Sequence, residues 1–143
     1  MKGWALQFVV ALPIGFCVGA CRADCIDDAA AYRHISARLV RAIAQHESGM
    51  RPDAVHINSN GTEDIGLMQI NSSWLPKLAR YGIRRDHLFN ACVNAYVGTW
   101  ILASNVRQFG ATWKAVGAYN AVSTQKQMIY ANAIYRRLQR QGN

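Results

Sequence analysis

The sequence predicts a mostly α-helical fold: one small lobe of about six helices, with a loop or short β-hairpin after the helix that ends at Glu47. Three observations predict it. Apolar residues recur at helical spacing through nearly all of residues 26–140. Residues suited to helix starts and stops punctuate that pattern. One stretch, Pro52 to Thr62, breaks it with a high content of Asn, Ser and Gly.

No repeat, low-complexity tract or proline-rich linker divides the chain, so residues 24–143 are expected to form a single domain with one ordinary core. Residues 1–23 read as a secretory signal. Lys2 supplies the positive end, Trp4 to Val18 the apolar stretch, and small residues follow, with cleavage after Ala20 or Ala23. Arg22 and Asp24 interrupt the apolar run too soon for a membrane span. The alternatives are an uncleaved N-terminal anchor, or a lipid-bearing Cys21 within Val18-Gly19-Ala20-Cys21.

Ile26 to His34 forms a first short helix, and Ser36 is placed as the N-cap of a second, which Ser48-Gly49 end. After the irregular segment, Asp64 is expected to cap a short Ile65 to Ile70 segment, with Glu63 solvated. Ser72 opens a helix through Tyr81, stopped by Gly82. A longer helix runs from about Leu88 to Phe109, with Ala91, Ala95, Val97, Trp100, Ile101 and Val106 as its apolar positions and Gly110 as its stop. Thr112 to Tyr119 and Ser123 to Arg140 complete the set. In the last helix Met128, Ile129, Ile134, Tyr135 and Leu138 are expected to pack, while Arg136, Arg137 and Arg140 complement the helix dipole.

Once the leader is removed, Cys25 and Cys92 are the remaining cysteines. In an oxidising compartment such a pair reads as a disulfide that contributes roughly 4 kcal/mol by closing a long loop; two buried thiols would suit a cytosolic chain.

Glu47 stands out chemically. It lies over Ile43 and beside Val40 and Ala44, on the stripe that should face the core. Burial raises a carboxyl pKa and keeps it protonated near neutral pH, the state a general acid needs. The bland alternative is a helix-end glutamate turned to solvent. Further on, Gly66-Leu67-Met68-Gln69-Ile70-Asn71 joins a glycine, an adaptable thioether and two amides, a mixture suited to lining a groove for a polar polymer with apolar faces.

Glu47-Ser48-Gly49, Gly66-Leu67-Met68-Gln69 and Ala118-Tyr119-Asn120-Ala121 together resemble the three signature motifs of the lysozyme-like lytic transglycosylases, which cleave peptidoglycan. The fuller string Ser59 to Asn71, followed by Trp74-Leu75-Pro76, is similar to the small specialised members attached to type III and type IV secretion, conjugation and pilus machineries. The resemblance runs from about Cys25 to at least Tyr135. It implies an α+β lysozyme-like fold and a reaction in which Glu47 performs both proton transfers. The substrate's own C6 hydroxyl then attacks the anomeric carbon, giving a 1,6-anhydromuramoyl end. No metal or organic cofactor is implied.

By the same resemblance Ser48, Gly66, Met68, Gln69, Tyr119 and Asn120 are the expected substrate-binding residues: the Gln69 amide contacts substrate, Met68 shapes the subsite beside the acid, Ser48 also caps or orients the backbone after Glu47, and Tyr119 and Asn120 belong to the third motif. Tyr119 reads either as the holder of the Glu47 carboxyl, by a phenol hydrogen bond, or as a core aromatic. Where many relatives carry a serine shortly before Gly-Ala-Gly-Leu-Met-Gln, this chain has Asn58 to Gly66, so which loop residue touches substrate stays open. Trp100 and Trp113 read as core aromatics, and Trp74 as either core or sugar platform.

The net charge of +8, or about +6 without Lys2 and Arg22, favours an anionic partner. Nucleic acid, anionic lipid and a wall polymer with stem-peptide carboxylates all qualify, and export argues against nucleic acid. The expected partners are peptidoglycan glycan strands and components of an envelope-spanning secretion or conjugation machine, the expected state a monomer and the expected location the periplasm. Two rivals remain. One is a muramidase using Glu63 or Asp64 as second carboxylate. The other is a wall-binding assembly factor without essential catalysis. His34, His46, His56 and His87 lack ligand spacing, and of the evenly spaced Cys17, Cys21 and Cys25 two fall in the leader, so no metal site is expected.

Overall fold

The structure, a computed structural model, describes residues 24–141. The expected leader, its cleavage site and Cys21 lie outside the described residues. Helix α1 (Cys25–Tyr32) starts at Asp24, whose carboxylate accepts the Ile26 amide at 3.0 Å. Helix α2 (Ala37–Glu47) follows, and its inward stripe of Val40, Ile43 and Ala44 is fully buried, as the spacing predicts.

Beyond α2 the chain forms a three-stranded antiparallel sheet in the order β1-β2-β3, from β1 (Val55–Ile57), β2 (Glu63–Ile65) and β3 (Ile70–Asn71). This exceeds the expected loop or hairpin by one strand. The first turn is the Asn-rich stretch, where Asn58 accepts the Gly61 amide at 2.9 Å and donates to Thr62 O at 2.8 Å. The second turn is the Gly66–Gln69 segment, which reverses the chain through positive φ angles of 78° at Gly66 and 51° at Gln69.

Asp64 is therefore a strand residue and not the cap of a helical segment. Its register places it opposite His56 and Asn71, and its carboxylate accepts from Asn58 Nδ2 at 2.9 Å and from Asn71 Nδ2 at 2.7 Å. Two flanking amides satisfy it better than a short helix end would. Glu63 is likewise engaged, accepting Arg85 Nε and Nη2 at 2.7 and 3.0 Å.

The helix expected from Ser72 begins as a 3-10 turn (Ser72–Trp74) capped by Asn71 and becomes α3 (Leu75–Ala79). Ser72 is drawn away from capping because its hydroxyl accepts the Glu63 amide at 3.0 Å. A second 3-10 turn covers Asp86–Phe89. Asn90 then caps α4 (Ala91–Phe109) by accepting the amides of Cys92 and Val93. Helices α5 (Trp113–Gly117), capped by Thr112, and α6 (Thr124–Arg140) close the chain.

In α6 the buried stripe is Gln127, Tyr130, Ala131 and Ile134; Met128, Ile129 and Tyr135 are exposed, contrary to expectation. The polar Gln127 obscured the true phase. It is tolerated inside because its amide donates to Ala121 O at 2.9 Å and Val122 O at 3.1 Å. Trp113 is also exposed, set edge-on against Tyr135, because the buried residues of α5 are Ala115, Val116 and Gly117.

Helix α4 runs through the core and buries Asn94, Ala95, Val97, Gly98, Thr99, Ile101, Leu102 and Ala103. A disulfide joins Cys25 to Cys92 across Cα atoms 4.9 Å apart, tying α1 to α4. Asn94 ties the sheet to the same helix. Its Nδ2 donates to Ile65 O (2.9 Å) and Leu88 O (2.8 Å), and its Oδ1 accepts the Met68 amide at 2.8 Å.

Candidate active site

Glu47 stands at the C-terminus of α2, where the core stripe meets a groove of about 900 Å³. The groove runs between the sheet and the α5–α6 connection. Its walls carry Asp64, Gln69, Asn71, Trp74, Asn105, Tyr119, Asn120, Ser123 and Lys126, with the loop residues Asn58, Ser59, Asn60 and Thr62 along one side. It is lined mostly by polar groups, with apolar surface from Ile70, Trp74, Ile101 and Val122. Trp74 both lines the groove and packs against the core, edge-on against the half-buried Trp100 with ring centres 5.6 Å apart.

Burial pushes the Glu47 carboxyl up from 4.5 to about 7; the hydrogen bond from Tyr130 pulls it down in part, and the nearby Asp64 charge raises it again. The Tyr130 hydroxyl, on α6, donates to Glu47 Oε1. The candidate holder, Tyr119, instead donates to the Met68 carbonyl at 2.9 Å and stacks on the Tyr130 ring at 6.5 Å. The reason is geometric: α5 ends before Tyr119, which leaves its phenol over the Gly66–Gln69 turn, while α6 passes directly over the end of α2. Burial and the Glu47 charge raise both phenols above their ordinary range, so they remain donors at neutral pH.

Tyr130 escaped the sequence reading because it lies outside the three motifs. Its signal was phase alone, since it shares the α6 stripe with Gln127 and Ile134. His46 sets its ring edge-on against Tyr130 at 5.2 Å, and burial together with Arg137 lowers the imidazole's pKa.

The other motif residues separate into groove walls and supports. Gln69 lines the groove and is held by its own Nε2, which donates to Gly66 O at 3.0 Å and Ala54 O at 3.2 Å. Asn120 lines the opposite side. Ser48 is buried; its hydroxyl donates to Leu67 O at 2.7 Å and accepts the Arg51 amide at 3.0 Å, clipping the end of α2 to the turn. It therefore orients the backbone and, buried away from the groove, is not placed to bind substrate, contrary to expectation.

Met68 does not shape a subsite wall. Its side chain is fully buried against Gly98, where any Cβ would collide with it, so it forms packing beneath the groove floor. Gly66 is also a support. Its φ is 78°, and a Cβ there would run into Asn94 Nδ2 and Leu88 O. Asn71, the second amide of the Gly66–Asn71 run, lines the groove as expected of that run, and Asn105 and Lys126 are groove residues that no motif marked. Among the described residues no three His, Cys, Asp or Glu side chains gather as a metal would require.

The family model for the Transglycosylase SLT domain matches residues 24–134. The chain is 38% identical to the X polypeptide of Escherichia coli, over 95% of this chain and 83% of that protein. It is 42% identical to the invasion protein IagB of Salmonella typhimurium, over 73% of this chain and 66% of that one. With protein IpgF of Shigella flexneri the identity is 38%, over 81% and 80% of the two chains. Among solved structures, an inactive mutant of the lytic transglycosylase Slt from Pseudomonas aeruginosa aligns with a TM-score of 0.66 at 19% identity, covering 84% of this chain and 24% of that one. That likeness shows a shared fold, the mostly helical lysozyme-like one the sequence predicts, although the chain spans only about a quarter of Slt. From the match over residues 24–134 and relatives covered over most of their length, the chain belongs to the SLT-domain family of lytic transglycosylases.

Proposed function

We propose that the protein is a peptidoglycan lytic transglycosylase that cleaves the β-1,4 bond between N-acetylmuramic acid and N-acetylglucosamine and leaves 1,6-anhydromuramoyl ends. The observation that carries this reading is the half-buried Glu47 carboxyl on a polymer-sized polar groove, with its pKa raised to about 7. At neutral pH such a group is populated in both forms, which suits a residue that must first give a proton and then take one. Protonated Glu47 passes its proton to the glycosidic oxygen as the C1–O bond breaks and its electron pair leaves with that oxygen. The carboxylate then accepts the proton of the sugar's C6 hydroxyl as that oxygen bonds to C1. No water is consumed. The Tyr130 hydroxyl holds the carboxylate at the geometry both transfers need.

A second reading is a muramidase, because Asp64 lines the same groove and its charge is felt at Glu47. The amides of Asn58 and Asn71 already engage both Asp64 oxygens, which favours a positioning role for this carboxylate over attack on a sugar. The proposal extends to biology. Residues 1–23 direct export to the periplasm, and local opening of the wall admits an envelope-spanning machine whose components are further partners. The named relatives, an invasion protein among them, support that extension.

The test is digestion of purified peptidoglycan by the wild-type chain and by Glu47→Gln, with mass spectrometry of the sugar ends. Anhydro ends lost in the variant are the expected result. Reducing ends would assign a hydrolase. Wall binding without products in either form would assign an assembly factor.

A further inference from the structure

A second groove, of about 500 Å³, lies between the C-terminal end of α1, the turn after α3 and the first half of α4. It shares no lining residue with the catalytic groove. Its wall is apolar, built from Leu78, Val93, Val97 and Trp100, and Tyr81 and Tyr96 stand at it 69% and 41% exposed. Exposed aromatics around an apolar floor are the composition of a protein-binding patch. Nothing in the glycan chemistry uses this face.

The one charged residue on the lining is Arg33. Its Nε is buried and has no hydrogen-bond partner among the described residues, and its guanidinium lies 4.9 Å over the Tyr32 ring. A buried, unmatched donor is unfavourable unless something arrives to accept from it. Close by, Lys77 Nζ sits 4.7 Å over the Trp100 ring, and no carboxylate lines the groove to balance either cation. A second copy of the chain, with a formal charge of +8, would bring like charge to this rim.

We propose that this groove docks an acidic amphipathic segment of a partner protein. The segment's apolar side chains enter over Trp100 and Val97, and one of its carboxylates accepts from Arg33. Because the two grooves have separate walls, a docked partner leaves the glycan groove open. The proposal is independent of the glycan chemistry, since binding is read without peptidoglycan.

The test uses the full chain and two synthetic amphipathic helical peptides, one of leucine and glutamate and one of leucine and lysine, with affinity measured by calorimetry or Trp fluorescence. Wild type is expected to bind the Leu/Glu peptide and not the Leu/Lys one. Arg33→Glu is expected to weaken the Leu/Glu peptide about 30-fold or more and to gain binding of the Leu/Lys peptide. Tyr81→Ala, at an exposed position that leaves folding intact, is expected to weaken it about five- to tenfold. Equal binding of both peptides, no binding of the Leu/Glu peptide, or self-association of the wild type that Tyr81→Ala abolishes would each overturn the proposal.

Discussion

Glu47→Gln is expected to raise the stability of the fold at and above neutral pH while removing cleavage. The wild-type carboxyl has its pKa raised from 4.5 to about 7, chiefly by burial. The folded protein therefore holds a proton that the unfolded chain releases, and stability falls as pH rises from about 4.5 to about 7. At about 1.4 kcal/mol per pH unit the whole effect is about 3 kcal/mol. Glutamine never ionises, and its amide oxygen still accepts from Tyr130, so the variant escapes that loss. The two proteins should unfold within about 1 kcal/mol of each other near pH 4. Near pH 8 the variant should lead by about 3 kcal/mol. Urea unfolding of both at several pH values, with unchanged m, measures the difference directly. A difference that stays constant across that range would refute the assignment of a raised pKa to Glu47, and with it the physical basis of the acid role.

Three further outcomes follow from the same geometry. Tyr130→Phe removes the hydrogen bond that pulls the Glu47 pKa down, so the pH at which turnover falls on the alkaline side should move upward, with kcat reduced roughly tenfold to a hundredfold; pH–rate profiles on peptidoglycan read both effects. Asn94→Ala leaves two carbonyls and one amide of the sheet-to-α4 junction without partners, and should cost roughly 3 kcal/mol or more in chemical denaturation. Replacing both Cys25 and Cys92 by alanine opens a link across 67 residues and should lose about 4 kcal/mol, matched by adding reductant to the wild type.

Much of this was legible in the chain because it is written locally. The helix start at Thr112 and stops such as Gly82 and Gly110 act within a turn, and the apolar stripe that ends at Glu47 is a property of α2 alone. What was not legible depends on contacts between distant segments. The third strand exists because Gly66 can turn under Asn94, a residue of α4. In α6 the buried stripe runs through the polar Gln127, whose amide the chain's own carbonyls satisfy, so apolar spacing alone does not give the phase that also buries Tyr130. Met68 was placed at the groove by its motif, whereas the missing side chain of Gly98 draws it into the core.

The hydrogen bonds around Glu47 have one more consequence. Tyr130 reaches the acid across 83 positions of sequence, and Tyr119 reaches Met68 across 51. Contacts of that span form only when distant segments of the chain have come together. A partly folded chain therefore holds Glu47 in water with an ordinary carboxyl, and its readiness to hold a proton near neutrality exists only in the completed fold.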